Sequence, residues 1–401
     1  MATKLSRSTS FVRKFLVFFV IGFIVITILQ ITTGFLTAIF TTPSQVRPSE
    51  TVNKTLVCIT ADDLFGLIPK IQMSSYTLLP GTNATFSTDK PEKEFPTFPS
   101  TLSVYQLQNA PEILGSVQDA QATAASFGFD SNKYLASNSL VSWQNSDGSR
   151  VFTFDKENHL WKLTTDLNKA KLSSTGGAVN SSIAQAILSA VNVSYKNYSN
   201  PDISYSYILR KFDKSLTTVT DPTTANIVNI TFNKNLFAMT CKDQNGGDQQ
   251  TNATVLSPDI TDPSFMAQVT GGGQDLTGNL IGLNLREFKI PNTTATKGTY
   301  TLKSVDDAFL GLQQNKGTLY WILPVGGNQY APYIQLKVTD FEVFVDSTKI
   351  VYVEPQKYLA NDASTHYIQP YFKFVGRATI STSGYADFIF LVPALSDSSY
   401  K

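Results

Sequence analysis

Histidine and cysteine are scarce, with two of each in 401 residues. His159 and His366 have no second histidine at a metal-ligand spacing, so a zinc site or a Cys-His pair has too few groups to draw on. Cys58 and Cys241 form neither a C-x-x-C site nor a disulfide framework. No sign of charge dominates: 32 basic residues stand against 31 acidic ones, for a formal net charge of +1. That balance gives no reason to expect nucleic acid or an anionic partner. The sequence also has no G-x-S-x-G, no G-x-x-x-x-G-K-[ST] and no G-x-G-x-x-G. No catalytic, cofactor-binding or metal residue is assigned, and no cofactor is expected.

One long apolar run is present. Phe15 to Phe40 contains no charged residue, and Gln30 is its only strongly polar side chain, with Thr32 and Thr33 nearby. As a helix of roughly 26 residues it would be about 39 Å long, more than the ~30 Å hydrocarbon core of a bilayer. Lys4, Arg7, Arg13 and Lys14 precede it, and only the sparse, mixed charges of Arg47, Glu50 and Lys54 follow. The positive-inside rule then predicts a cytoplasmic tail (1–14), a single-pass plasma-membrane anchor (15–40) in contact with lipid, and an extracytoplasmic bulk. An uncleaved anchor is favoured over a cleaved signal peptide, for which Thr32-Thr33-Gly34 would be the site. Both cysteines would lie outside, where a disulfide is permitted, and whether they pair stays open.

Hydrophobic residues make up 42% of the chain and include 27 Phe and 17 Tyr, which indicates a folded, core-burying protein. Residues 41–110 read as an extended, proline-punctuated stalk, with a strand or short helix around Leu64–Ile71. A first module (111–175) opens on the cap Ser116. Val117, Ala120, Ala124 and Phe127 share a helix face, and Gly128 stops the helix. A meander with an Asp147-Gly148 hairpin turn follows. A second module (176–300) has a helix carrying Ile183, Ile187 and Val191. Its strands alternate at Ile203–Leu209, Val228–Phe232 and Ile281–Leu285, the period of a sheet with one face in the core. A third (301–401) has a helix capped at Ser304 with Val305, Ala308, Phe309 and Leu312 on one face and Gly317 as its stop. Strands follow at Thr318–Leu323, Ile334–Val345, Ile350–Val353, Tyr367–Ile380 and Tyr385–Val392. The predicted fold is α+β and β-rich: an N-terminal transmembrane helix, then tandem helix-plus-antiparallel-sheet modules.

Several local groupings invite a chemical reading, and each has a simpler one. Thr270-Gly271-Gly272-Gly273 lacks phosphate-loop spacing and reads as a turn. Asp243-Gln244-Asn245-Gly246-Gly247-Asp248 has oxygen ligands but neither the EF-hand order nor its closing Glu, and reads as a polar loop. Asp306-Asp307 fits the first turn of a helix. Ser398-x-x-Lys401 closes the chain, a poor place for a buried nucleophile. Eight N-x-S/T sequons, at Asn53, Asn83, Asn180, Asn192, Asn197, Asn229, Asn252 and Asn292, are accounted for by composition.

The segment Tyr367-Ile368-Gln369-Pro370-Tyr371-Phe372-Lys373-Phe374-Val375-Gly376, followed by Phe390-Leu391-Val392-Pro393-Ala394 and preceded by the Ser304–Leu312 helix, resembles the closing domain of single-pass bacterial envelope proteins. These are similar to accessory regulators of a cell-wall histidine kinase and, more loosely, to PepSY modules. The resemblance covers roughly the last quarter of the chain. It implies a helix packed on a curved antiparallel sheet, and a non-catalytic protein that contacts an envelope protein partner. The functional expectation is regulation or protein–protein interaction at the bacterial cell envelope. The alternatives are an envelope hydrolase or carbohydrate-binding protein, and a structural surface component.

Overall fold

The computed structural model describes residues 58–107, 117–156, 160–174, 181–191, 199–242, 248–271, 275–286, 296–359, 361–381 and 384–401. In chain order the strands begin with β1 (Thr85–Thr88), β2 (Thr101–Gln106), β3 (Tyr134–Ala136), β4 (Leu140–Gln144), β5 (Arg150–Asp155) and β6 (Leu160–Thr165). They continue with β7 (Ser199–Arg210), β8 (Leu216–Val219), β9 (Ile227–Lys242), β10 (Asp248–Leu256), β11 (Phe265–Val269) and β12 (Leu280–Arg286). The last are β13 (Lys297–Thr301), β14 (Thr318–Pro324), β15 (Val338–Val343), β16 (Lys349–Val353), β17 (Tyr367–Ile380) and β18 (Tyr385–Pro393). Helices α1 (Val117–Ser126), α2 (Ser181–Val191), α3 (Leu276–Asn279) and α4 (Val305–Gln313) lie between them.

Nine strands form one antiparallel region in the order β3-β4-β5-β6-β12-β11-β9-β7-β8. One face of this sheet carries α1 and α2. Ala120, Ala124 and Phe127 from the first helix, and Ile183, Ala184, Ile187 and Val191 from the second, pack on Trp143, Phe152, Trp161, Ile230, Phe232 and Phe265. Of the apolar helical positions read from the sequence, Ala120, Ala124, Phe127, Ile183, Ile187 and Val191 are buried. Gly128, at φ +82°, ends α1, and Gly148, at φ +67°, makes the β4–β5 turn.

The second region is organised on β17. It pairs with β18 over Tyr371–Thr379, with β16 over Gln369–Lys373, with β15 over Gly376–Ile380, and with β2 at Tyr367–Ile368. Strand β14 joins β18, β13 joins β2, and β1 runs parallel to β15. Helix α4 packs Val305, Ala308 and Leu312 into a core with Phe341, Phe372, Phe374, Phe388 and Phe390. Ser304 caps it: its hydroxyl accepts from Asp307 N at 3.0 Å. Asn315, at φ +58°, makes the left-handed turn after the helix. The terminator predicted from the sequence was Gly317, two residues later.

Strand β9 joins the two regions. Its first half pairs with β7 and β11, its second half with β10, and Val255–Leu256 of β10 run parallel to Tyr352–Val353 of β16. The result is one large mixed sheet of 18 strands, so the expected tandem of separate helix-plus-sheet, PepSY-like modules is corrected. The physical reason is pairing that ignores sequence neighbourhood. Strand β6 bonds to β12 across the first and second expected modules, and β2, inside the expected stalk, bonds to β13 and β17. Residues Leu56–Lys401 form one compact unit. The predicted Ile334–Val345 strand shortens to Val338–Val343. The expected anchor at 15–40, with Gln30, Thr32 and Thr33, lies outside the described residues. Among the described residues no helix is long and apolar enough to cross a membrane, and the single-pass plasma-membrane reading is withdrawn on that finding.

Cys58 and Cys241 are joined in a disulfide across a sequence separation of 183 residues. It ties the strip before β1 to the far end of β9. On the chain-entropy account a loop of that size contributes about 5 kcal/mol by restricting the unfolded chain. A Cys58→Ser/Cys241→Ser variant should lose stability of that order in urea unfolding, and an unchanged midpoint would contradict this role. At Gly376 of β17 there is no room for a side chain: an added Cβ would run into the Glu342 carbonyl and the Phe388 ring. Gly376→Ala should cost about 1–3 kcal/mol through overpacking against backbone that cannot move aside, measured in the same unfolding assay.

Candidate functional site

The nine-strand region has a second face, away from α1 and α2, and the sequence pattern marks it polar. Ser206 of β7, Asn229 and Thr231 of β9, and Gln268 of β11 alternate with the residues under the helices. This face is only partly open to water. It meets the face of the β17 region opposite α4, where Tyr320, Val351, Val353, Tyr371 and Leu391 cluster with Trp321 and Ile389 at the margin. Between the two faces lies a cleft of about 650 Å³. One wall is Ser206, Asn229, Thr231, Asn233, Met266 and Gln268; the other is Tyr320, Trp321, Lys373 and Ile389. Gln329 and Tyr330, from the connection after β14, and Tyr76 close its sides, and Leu256, Ser257, Ile260 and Thr261 form one end.

The polar wall is pre-ordered by its own hydrogen bonds. Gln268 Nε2 donates to Asn229 Oδ1 at 3.0 Å, and Asn229 Nδ2 donates to the Tyr330 hydroxyl at 2.9 Å. Gln329 Nε2 donates to the same hydroxyl at 2.9 Å. Burial pushes the Tyr330 phenol up, with hydrogen bonds from Ser206, Gln329 and Asn229 acting against it. Fixed amides and a neutral phenol form a rail of donors and acceptors that a ligand meets without reordering side chains, which lowers the entropic cost of binding. Asn229 is 7% exposed and engaged in this rail, which removes it as a glycan acceptor, whereas Asn83 and Asn252 are exposed.

At one end of the cleft a buried charge cluster ties the two regions together. Lys234, on β9, is 3% exposed and Glu354, just past β16, is 0% exposed. Lys234 Nζ lies 3.3 Å from both Glu354 oxygens and donates to the Arg286 carbonyl at 2.8 Å. The Arg286 guanidinium, also buried, reaches Asp262 Oδ2 at 2.5 Å. Asp262 also accepts from Asn284 Nδ2 at 2.7 Å. Two cations meet two carboxylates, Glu354 inside the protein and Asp262 at its partly exposed margin, so each buried cation has an anionic partner. Nearby, burial pushes the Asp259 carboxyl up, but hydrogen bonds from Thr261 and Ser74 outweigh it and hold it below the usual carboxylate range.

The residues weighed in the sequence are not brought together here. His366 stacks on Tyr358 at 4.7 Å and contacts the Leu359 carbonyl at 2.8 Å; His159 lies outside the described residues. Asp307 accepts from its own cap, Ser304 Oγ, at 2.6 Å. Thr270 N donates to Asn279 O at 2.9 Å and Gly271 sits at φ +68°, a turn as expected, while Gly272 and Gly273 are outside the described residues. Asp248 opens β10, and 243–247 are likewise outside. Ser398 Oγ contacts Ser396 Oγ at 2.9 Å. Among the described residues no three His, Cys, Asp or Glu side chains gather as a metal site. The sequence did not identify the cleft, because it joins residues 76, 206, 229, 268, 321, 330 and 373; its one trace was the polar alternation on β7 and β9. No protein-family model and no curated protein matches this chain.

Breaking a buried ion pair on one side leaves an uncompensated charge, at a typical cost of about 3–5 kcal/mol. Lys234→Met and Glu354→Leu should each destabilise on that scale, while the double variant recovers most of the loss. A double-mutant cycle in urea checks this, and simple additivity would show that the pair is not coupled.

Proposed function

We propose that this chain is a non-catalytic binding protein that works where disulfides persist and holds its ligand in the cleft between the two sheet faces. The observation that carries this reading is the cleft's construction: an ordered amide-and-hydroxyl rail on one wall faces an aromatic and aliphatic wall. Ligand sites typically combine an apolar surface with a few fixed polar groups in this way. None of the described residues lining the cleft is a carboxylate, a histidine or a cysteine. Glycoside hydrolysis by paired carboxylates therefore lacks its groups there. Interaction with another protein, in regulation or assembly at an envelope, is the service the sequence resemblance suggests. Carbohydrate binding is the second reading, favoured by the aromatic and amide lining. The Cys58–Cys241 disulfide fits an oxidising compartment.

The three tryptophans supply a test. Trp143 and Trp161 are 1% and 2% exposed under the helices, whereas Trp321 lines the cleft. A ligand in the cleft should change tryptophan emission saturably, with the signal lost in Trp321→Phe, and should be recovered chemically unchanged. Progressive consumption of the ligand by the pure protein would overturn the non-catalytic reading.

A further inference from the structure

Among the described residues Lys373 has no ion-pair partner. It stands on the cleft face of β17, directly opposite Lys349 of β16 in the antiparallel register. Two like charges facing each other across a ladder destabilise a sheet. Burial, and then Lys349, push the Lys373 ammonium below the usual lysine range. No carboxylate answers it: among the described residues no ion pair includes Lys373, and no acidic side chain lines the cleft. Asp259, at the same end, is engaged with Ser74 at 3.0 Å and Thr261 at 2.8 Å. Lys234 lines the same cleft and shows the contrast, since its charge is matched by Glu354 at 3.3 Å.

The unmatched cation calls for an anion brought by the ligand. A single lysine acts as a point charge, and none of the described residues lining the cleft is an arginine that could form the bidentate fork suited to phosphate, so a carboxylate is the better complement. The walls decide what carries it. Both are sheet faces rather than free strand edges, so an extended peptide finds no backbone ladder to join and recognition falls to side chains. Amides and hydroxyls opposite an indole suit a ligand with many hydroxyls and an apolar ring face. We propose that the cleft binds a carboxylate-bearing oligosaccharide, its carboxylate on Lys373, its hydroxyls on the Asn229–Gln268–Tyr330 rail and a ring face against Trp321.

This inference rests on the cleft-binding reading, and the test separates the two. Trp321 emission of the full chain is titrated with oligogalacturonate, hyaluronan and alginate oligomers, each beside its carboxyl-methyl-ester form, and with oligoglutamate. At least one acidic sugar should bind tenfold or more tightly than its ester, and Lys373→Gln should abolish that difference. Lys373→Gln relieves a like-charge pair, so its melting temperature should hold or rise, which separates lost binding from lost folding. Equal binding of acid and ester forms overturns the inference and leaves the cleft reading standing. A preference for oligoglutamate overturns the sugar assignment. No Trp321 response to any probe, with ester and acid forms alike silent, overturns the inference; a cleft whose Asn229→Ala and Trp321→Phe variants then bind every partner found by other means as well as the parent chain overturns the reading beneath it.

Discussion

Everything in this structure turns on β9 and on the charges buried beside it. One strand of sixteen residues cannot belong to two sheets unless the surfaces on either side of its midpoint are held in a fixed relation. Lys234 sits at that midpoint, and its bonds to Glu354 and to the Arg286 carbonyl join three stretches of chain that share no local sequence. An ion pair so fully removed from water yields little net stability against an apolar replacement. Its value is in specification: a four-charge cluster is satisfied in one arrangement of the two regions and unsatisfied in neighbouring ones. The cleft is the by-product of that arrangement, the gap left where two sheet faces are pinned at one end.

The polar face of the nine-strand sheet shows how a correct pattern led to an incomplete picture. Alternation at Ser204, Ser206, Asn229 and Thr231 was legible, and it did identify which side faces the helices. The usual inference from such alternation is that the polar side meets solvent. Here the β17 region covers part of that side, and the polar groups use one another, as in the Gln268–Asn229–Tyr330 chain. Composition misled in a comparable way. A net charge of +1 gives no hint of a local excess, because thirty-one acidic and thirty-two basic residues cancel over the whole chain and not at Lys373.

Local elements were the most readable level. The caps, the apolar faces of α1 and α4, the Asp147-Gly148 turn and the long β17–β18 hairpin depend on neighbours within about two dozen residues, and sequence spacing reports those directly. The grouping of elements was not readable, because strand partners are chosen by shape and hydrogen-bond saturation across hundreds of residues. Three helix-then-meander units suggested three modules. The edges of each meander remained open in that picture, and the folded chain closes them by pairing units with one another: β6 with β12, β10 with β16, β2 with β17.

That closure has a consequence for how the protein is made. Strand β2 pairs at Gln106 with Tyr367, a partner roughly 260 residues downstream. At a synthesis rate of ~5–20 residues per second that partner emerges on the order of ten seconds to a minute later. Until β13, at Lys297–Thr301, emerges partway through that interval, the mostly buried strip Thr101–Gln106 has neither β13 nor β17 to bond to, and an unpaired apolar edge is a template for association between chains. The pairing of β2 is therefore completed only when the C-terminal third arrives, and long-range closure of this kind slows folding relative to the formation of helices and hairpins.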